Sequence, residues 1–104
     1  MAEPDFVAVA RASDIAPESA REVTVNGCAL LLVHSDGEFF AVENLCSHAH
    51  EPLACGRVKR GWISCPAHGA RFDLASGEPL GAPATEPIRI FPLRMADGMI
   101  EVAV

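Results

Sequence analysis

Apolar residues in this chain come in short runs cut off by turn residues, and where a run shows a period it is two, the spacing of a strand with one buried face. At the C-terminal end Ile100, Val102 and Val104 alternate with Glu101 and Ala103. "REVTV" and "CALLLVH" flank Asn26-Gly27, a dipeptide suited to a tight hairpin. "FVAV" (6–9) predicts a first strand, and Ser13-Asp14-Ile15 with Pro17 predicts a turn or one loose helical turn. "FFAVE" (39–43) follows the turn Ser35-Asp36-Gly37-Glu38. "RVKR" and "WIS" predict a second hairpin around Gly61, and "RFDL" a short strand. "IRIFPLR", Ala96-Asp97-Gly98 and "MIEVAV" predict a closing hairpin. The fold class expected is all-β and antiparallel, in one domain over residues 1–104. No internal repeat or linker interrupts it.

Two stretches leave this rhythm. Asn44 to Gly56 is polar and irregular, and "WIS" runs directly into Cys65-Pro66-Ala67-His68. Each carries a cysteine–histidine pair near a strand end: Cys46-x-His48, then sixteen residues, then Cys65-x-x-His68.

Charge and composition narrow the chemistry. Fourteen acidic against eight basic side chains give a formal −6 and a pI near 5.0, which argues against a nucleic-acid partner. The longest apolar run, Cys28 to Val33, is too short to span a bilayer, and the N-terminus is acidic where a signal peptide is basic. A cytoplasmic protein with no membrane partner is expected. In that reducing setting four cysteines read as metal ligands or buried thiols before disulfides.

Thiolate and imidazole donors suit zinc or iron-sulfur chemistry, whereas calcium and magnesium take oxygen. Structural zinc usually draws two cysteines from one turn. Here each loop offers one cysteine and one histidine, and a two-iron cluster approached from two sides can use that division. From the residues alone, both metals stay open.

The motif C-x-H, sixteen residues, C-P-x-H-G resembles the Rieske [2Fe-2S] family. The likeness continues through Pro52-Leu53, Gly56, "RFDLASGEP" and Pro83, covering about residues 39–92 closely. It implies a small antiparallel domain of stacked sheets, with a cluster-binding subdomain at about 44–84 formed by two loops and a proline loop. It implies one [2Fe-2S] cluster held by Cys46 and Cys65 on one iron and His48 and His68 on the other. Two neutral imidazoles in place of two thiolates make the core less negative, so reduction is less opposed.

High-potential members of the family resemble C-x-H-x-x-C with C-x-C-H-G-S and a Tyr two residues further on. Here those positions hold Glu51, Ala67, Ala70 and Phe72. The loop-bridging disulfide and both hydroxyl donors are therefore missing, and the low end of the Rieske range, about −150 mV, is expected.

Low-potential soluble proteins of this size resemble the ferredoxins of bacterial aromatic ring-hydroxylating dioxygenase systems. The resemblance implies a one-electron carrier, monomeric when free, between a flavoprotein ferredoxin reductase and a terminal non-haem iron oxygenase. No enzyme activity of its own is expected: a mononuclear iron site needs two further histidines and a carboxylate, whereas the remaining His34 and His50 fall on separate loops and 104 residues leave no room for a catalytic domain. Two other readings stay open, a Rieske-type subunit of a larger enzyme such as nitrite reductase, and a zinc-stabilised interaction module. His50 is read as a solvent-facing loop residue, His34 as an ordinary surface or edge residue, Cys28 as a small buried hydrophobe and Cys55 as a loop thiol. Trp62 is read as packing on the sheet, and no disulfide is expected.

Overall fold

Four two-residue turns organise the strands. In Asn26-Gly27, Asp36-Gly37, Arg60-Gly61 and Asp97-Gly98 both residues have positive φ, between 49° and 85°, the geometry whose twist matches a β-hairpin. The computed structural model describes residues 5–47, 52–54, 56–66, 69–82 and 84–104. The turns join β2 (Ser19–Val25) to β3 (Cys28–Ser35), β3 to β4 (Glu38–Glu43), β5 (Val58–Lys59) to β6 (Trp62–Ser64), and β9 (Leu93–Ala96) to β10 (Met99–Ala103). β1 (Phe6–Arg11), a 3₁₀ turn at Ala12–Asp14, β7 (Arg71–Asp73) and β8 (Ile90–Phe91) complete the order.

These strands form three antiparallel sheets, β1-β10-β9, β2-β3-β4-β8 and β5-β6-β7. Strand β3 explains how they stack. Its run Leu30 to Val33 is fully buried: Leu30 and Leu32 pack with Ile100, Val102 and Phe91, while Leu31 and Val33 pack with Ile63, Phe72 and Leu74. Both faces of the middle sheet are therefore covered, which is why this strand is continuously apolar where β10 alternates from Met99 to Val102; the alternation stops there, since Ala103 is buried and Val104 is exposed beyond the strand.

Two sequence expectations change. "IRIFPLR" is two strands, because β8 pairs with β4 (Ala41↔Phe91, Val42↔Ile90) while β9 pairs with β10. Pro92 separates them; it has no N–H to continue a ladder, and its carbonyl accepts from Ala103 N–H at 3.0 Å. His34 is also more than a surface residue. Its Nδ1 lies 2.9 Å from the Ile15 carbonyl oxygen and its ring stacks on Phe39 with centroids 4.1 Å apart. Among the described residues no helix is long and apolar enough to cross a membrane.

Candidate metal centre

Cys46 lies just beyond β4 and Cys65 just beyond β6, and both are almost wholly buried, at 0% and 1% exposure. They belong to one apolar cluster with Leu53, Ala70, Phe72 and Ala84. The structure thus brings together the two cysteines that the sequence placed nineteen positions apart in separate loops.

Backbone bonds shape each loop. The Cys65 N–H donates to the Ala70 carbonyl at 2.6 Å and the Cys65 carbonyl accepts from Gly69 N–H at 2.9 Å, so the chain after Cys65 turns straight back on it. Asn44 Oδ1 accepts from Leu53 N–H at 2.9 Å and closes the first loop at its base. The Ser47 hydroxyl donates to the Glu86 carbonyl at 2.7 Å, tying that loop to the segment before β8. Asn44 and Ser47 escaped the sequence reading. Their only signal was a short polar side chain beside a loop, a residue type that readily bonds backbone.

His48, His50, Glu51, Cys55, Ala67, His68 and Pro83 lie outside the described residues. Of the proposed ligands, the structure therefore places Cys46 and Cys65. Two buried sulfur donors carried on separate loops, next to one apolar wall, suit the cysteine half of a mixed cysteine and histidine donor set. Cys28 corrects its expectation. It is half-buried, and it lines an open groove of about 320 Å³ with Glu43, Leu45, Arg89 and Phe91.

Trp62 is half-buried on the outer face of β5-β6-β7, as the register Lys59↔Trp62↔Asp73 requires, with the Arg71 guanidinium 5.4 Å from its ring centre. Cross-strand partners share a face, so Ser64 and Arg71 join that outer row while Val58, Ile63 and Phe72 face inward.

A three-sheet antiparallel β fold that brings two buried cysteines together on neighbouring loops is a small β module able to offer sulfur ligands to a metal centre. The family model for the Rieske [2Fe-2S] domain matches residues 5–92, and the chain belongs to that family. The [2Fe-2S] cluster is accordingly its cofactor, and when bound it takes up and gives back one electron. The anthranilate 1,2-dioxygenase ferredoxin subunit of Burkholderia cepacia is 46% identical over 64% of this chain, though the match spans only 62% of that relative. The ferredoxin component of the naphthalene 1,2-dioxygenase system of Pseudomonas putida is 37% identical over 80% of each chain. A chain in the solved complex of reduced oxygenase and oxidised ferredoxin of carbazole 1,9a-dioxygenase superposes with a TM-score of 0.89 at 30% identity, covering 97% of this chain and 94% of that one.

The wall around the cysteines bears on the potential. Ala70 and Phe72 are both fully buried in the same cluster as Cys46 and Cys65, and neither has a hydroxyl to donate. A midpoint potential of about −150 mV is expected by protein-film voltammetry. Phe72→Tyr should raise it, since a new donor to sulfur favours the more negative reduced state. A bond worth about 1 to 1.5 kcal/mol corresponds to about 40 to 60 mV for one electron. An unchanged potential in a variant that keeps its visible spectrum would show that the inner wall does not set it.

Proposed function

We propose that this chain is the ferredoxin component of a multicomponent aromatic-ring dioxygenase system, a cytoplasmic one-electron carrier and no hydroxylating enzyme itself. It accepts electrons from a flavoprotein ferredoxin reductase and passes them to a terminal Rieske non-haem iron oxygenase. It is a single Rieske domain, monomeric when free, whose residues 44–84 form the cluster-binding part. Cys46, His48, Cys65 and His68 hold the cluster. The observation that carries this reading is the nearly full-length superposition on a chain from an oxygenase and ferredoxin complex.

The protein's own contribution is a dry wall around the sulfur ligands and a charged exterior for brief encounters. Charge is unevenly shared. Residues 44–84 hold four basic and three acidic side chains, a formal +1, which leaves −7 on the remainder. Such a separation orients the molecule in a partner's field before contact and favours fast association.

Reconstitution tests the whole reading. Mixed with a dioxygenase-system reductase, reduced nicotinamide nucleotide and a terminal oxygenase, the holoprotein should couple nucleotide oxidation to ring hydroxylation. The second-order rate of its reduction should fall steeply between low salt and about 0.15 M, where screening reaches about 8 Å. Failure to couple in every pairing would dismiss the carrier role, and a salt-independent rate would dismiss the steering.

A further inference from the structure

Among the described residues, five other than glycine have left-handed backbone. Asn26, Asp36, Arg60 and Asp97 each precede a glycine in a hairpin turn, but Glu18 (φ 58°) leads into β2 and has no such role. A residue with a β-carbon is disfavoured there and stays only where its surroundings hold it. The Glu18 carboxylate supplies the hold. Its Oε1 accepts from Asp36 N–H at 2.9 Å, and its Oε2 accepts from the Ser35 hydroxyl at 2.7 Å and from Arg60 N–H at 3.1 Å. Ser35, fully buried, in turn accepts from Gly61 N–H at 2.8 Å.

One side chain therefore meets the first left-handed residue of two different hairpin turns. The two turns need it unequally. Asp tolerates the left-handed region because its short side chain bonds locally, whereas Arg has no such compensation. Of the four turns, the one least suited by sequence is Arg60-Gly61, and it is the turn whose two amides are both received by the Glu18 and Ser35 pair. That turn closes β5 on β6, and β6 leads into Cys65; the Gly61 carbonyl also accepts from Leu74 N–H at 2.9 Å, fastening the turn to the end of β7.

We propose that Glu18 is a positioning residue for the metal-binding loops: with Ser35 it clasps the Arg60-Gly61 turn to the middle sheet and so fixes the strand that delivers Cys65. The clasp itself is independent of the ligand assignment, while its bearing on the metal rests on Cys65 being a ligand. The charged or titratable side chains on the elements it joins are Arg21 and Glu22 on β2, Cys28, His34, Asp36, Glu38 and Glu43 on the β3–β4 hairpin, and Lys59 and Arg60 on the β5–β6 hairpin. The Asp36 N–H first, then the Ser35 hydroxyl, with Arg60 N–H and the His34 charge adding less, hold the Glu18 carboxyl below its ordinary 4.5 against a smaller opposing effect of desolvation. A lowered carboxyl stabilises the fold fully above that ordinary value, and the contribution is lost as pH falls through the lower folded value.

Hydrogen–deuterium exchange on the holoprotein, read by mass spectrometry over residues 57–64, tests the clasp. At pH 7 Glu18→Gln should speed exchange there by about tenfold, the loss of one to two net hydrogen bonds, and alter the visible circular dichroism of the cluster. Adding Arg60→Asn should restore protection, because Asn suits the turn without help. Unchanged exchange in Glu18→Gln, or a loss that Arg60→Asn does not rescue, would overturn the proposal. Should Glu18→Gln fail to fold, the wild type decides: in acid, residues 57–64 must lose protection before residues 28–35, and simultaneous loss would overturn it. Survival of the cluster in Cys65→Ala would remove the metal reading and leave the exchange result standing.

Discussion

Cys65→Ala is expected to yield a folded, colourless protein. The side chain is buried at 1% exposure, but alanine removes little volume, and the bonds that shape the loop, Cys65 N–H to Ala70 and Gly69 N–H to Cys65, are backbone bonds that survive the change. Iron and acid-labile sulfide should fall from about two of each per chain toward zero, while the far-ultraviolet circular dichroism keeps its β character. His68→Ala should give the same outcome by removing a nitrogen donor. Cys28→Ser serves as the control, because that half-buried thiol sits in another cluster, packed against Leu30 and Phe91, and should keep full iron content. Retention of the visible bands in either ligand variant would show that the donor set is wrong.

Gly56→Ala should be nearly as damaging for a different reason. The Gly56 N–H donates to the Leu53 carbonyl at 2.9 Å, and a β-carbon built on this glycine runs into the Ser64 carbonyl oxygen with the Leu53 carbonyl oxygen only 3.0 Å away. Leu53 closes the first loop and Ser64 immediately precedes Cys65, so the two cysteine-bearing segments cross at this glycine. Both obstacles are backbone, which cannot swing aside as a flexible side chain could. The cost should meet or exceed the roughly 1 to 3 kcal/mol usual for overpacking, and iron content after purification should drop sharply with Tm. Gly27→Ala provides the contrast. Its β-carbon would meet nothing within 4 Å, so it bears only the conformational penalty of φ 80°, about 1 kcal/mol, and should remain coloured. A Gly56→Ala protein with full iron would mean the loops tolerate separation.

The hairpins were legible in the sequence because their determinants are local. Asn26-Gly27 and Asp97-Gly98 announce left-handed turns, and the alternation of Ile100 and Val102 with Glu101 fixes which face of β10 is buried. Cys46 and Cys65 stood out because each follows closely on a strand end and breaks the strand rhythm, and the structure buries both in one cluster, while His48 and His68 lie outside the described residues. Sheet membership was not. Nothing between residues 85 and 104 states that Ile90 and Phe91 pair with β4 while Leu93 pairs with β10, because that choice depends on which edge lies nearby in space. His34 and Glu18 were missed because their partners are distant in sequence: the Ile15 carbonyl for one, Ser35, Asp36 and Arg60 for the other. Long-range bonds to backbone leave no periodic trace.

Strand β1 lies directly alongside β10, with Phe6 opposite Ala103 and Val7 opposite Val102. A polypeptide entering through β1 and leaving through β10 does so at neighbouring points, on a sheet that contributes neither Cys46 nor Cys65. The module can therefore be spliced into a longer chain, or circularly permuted by joining those two strands with a short linker, without rerouting the segments that carry the two buried cysteines.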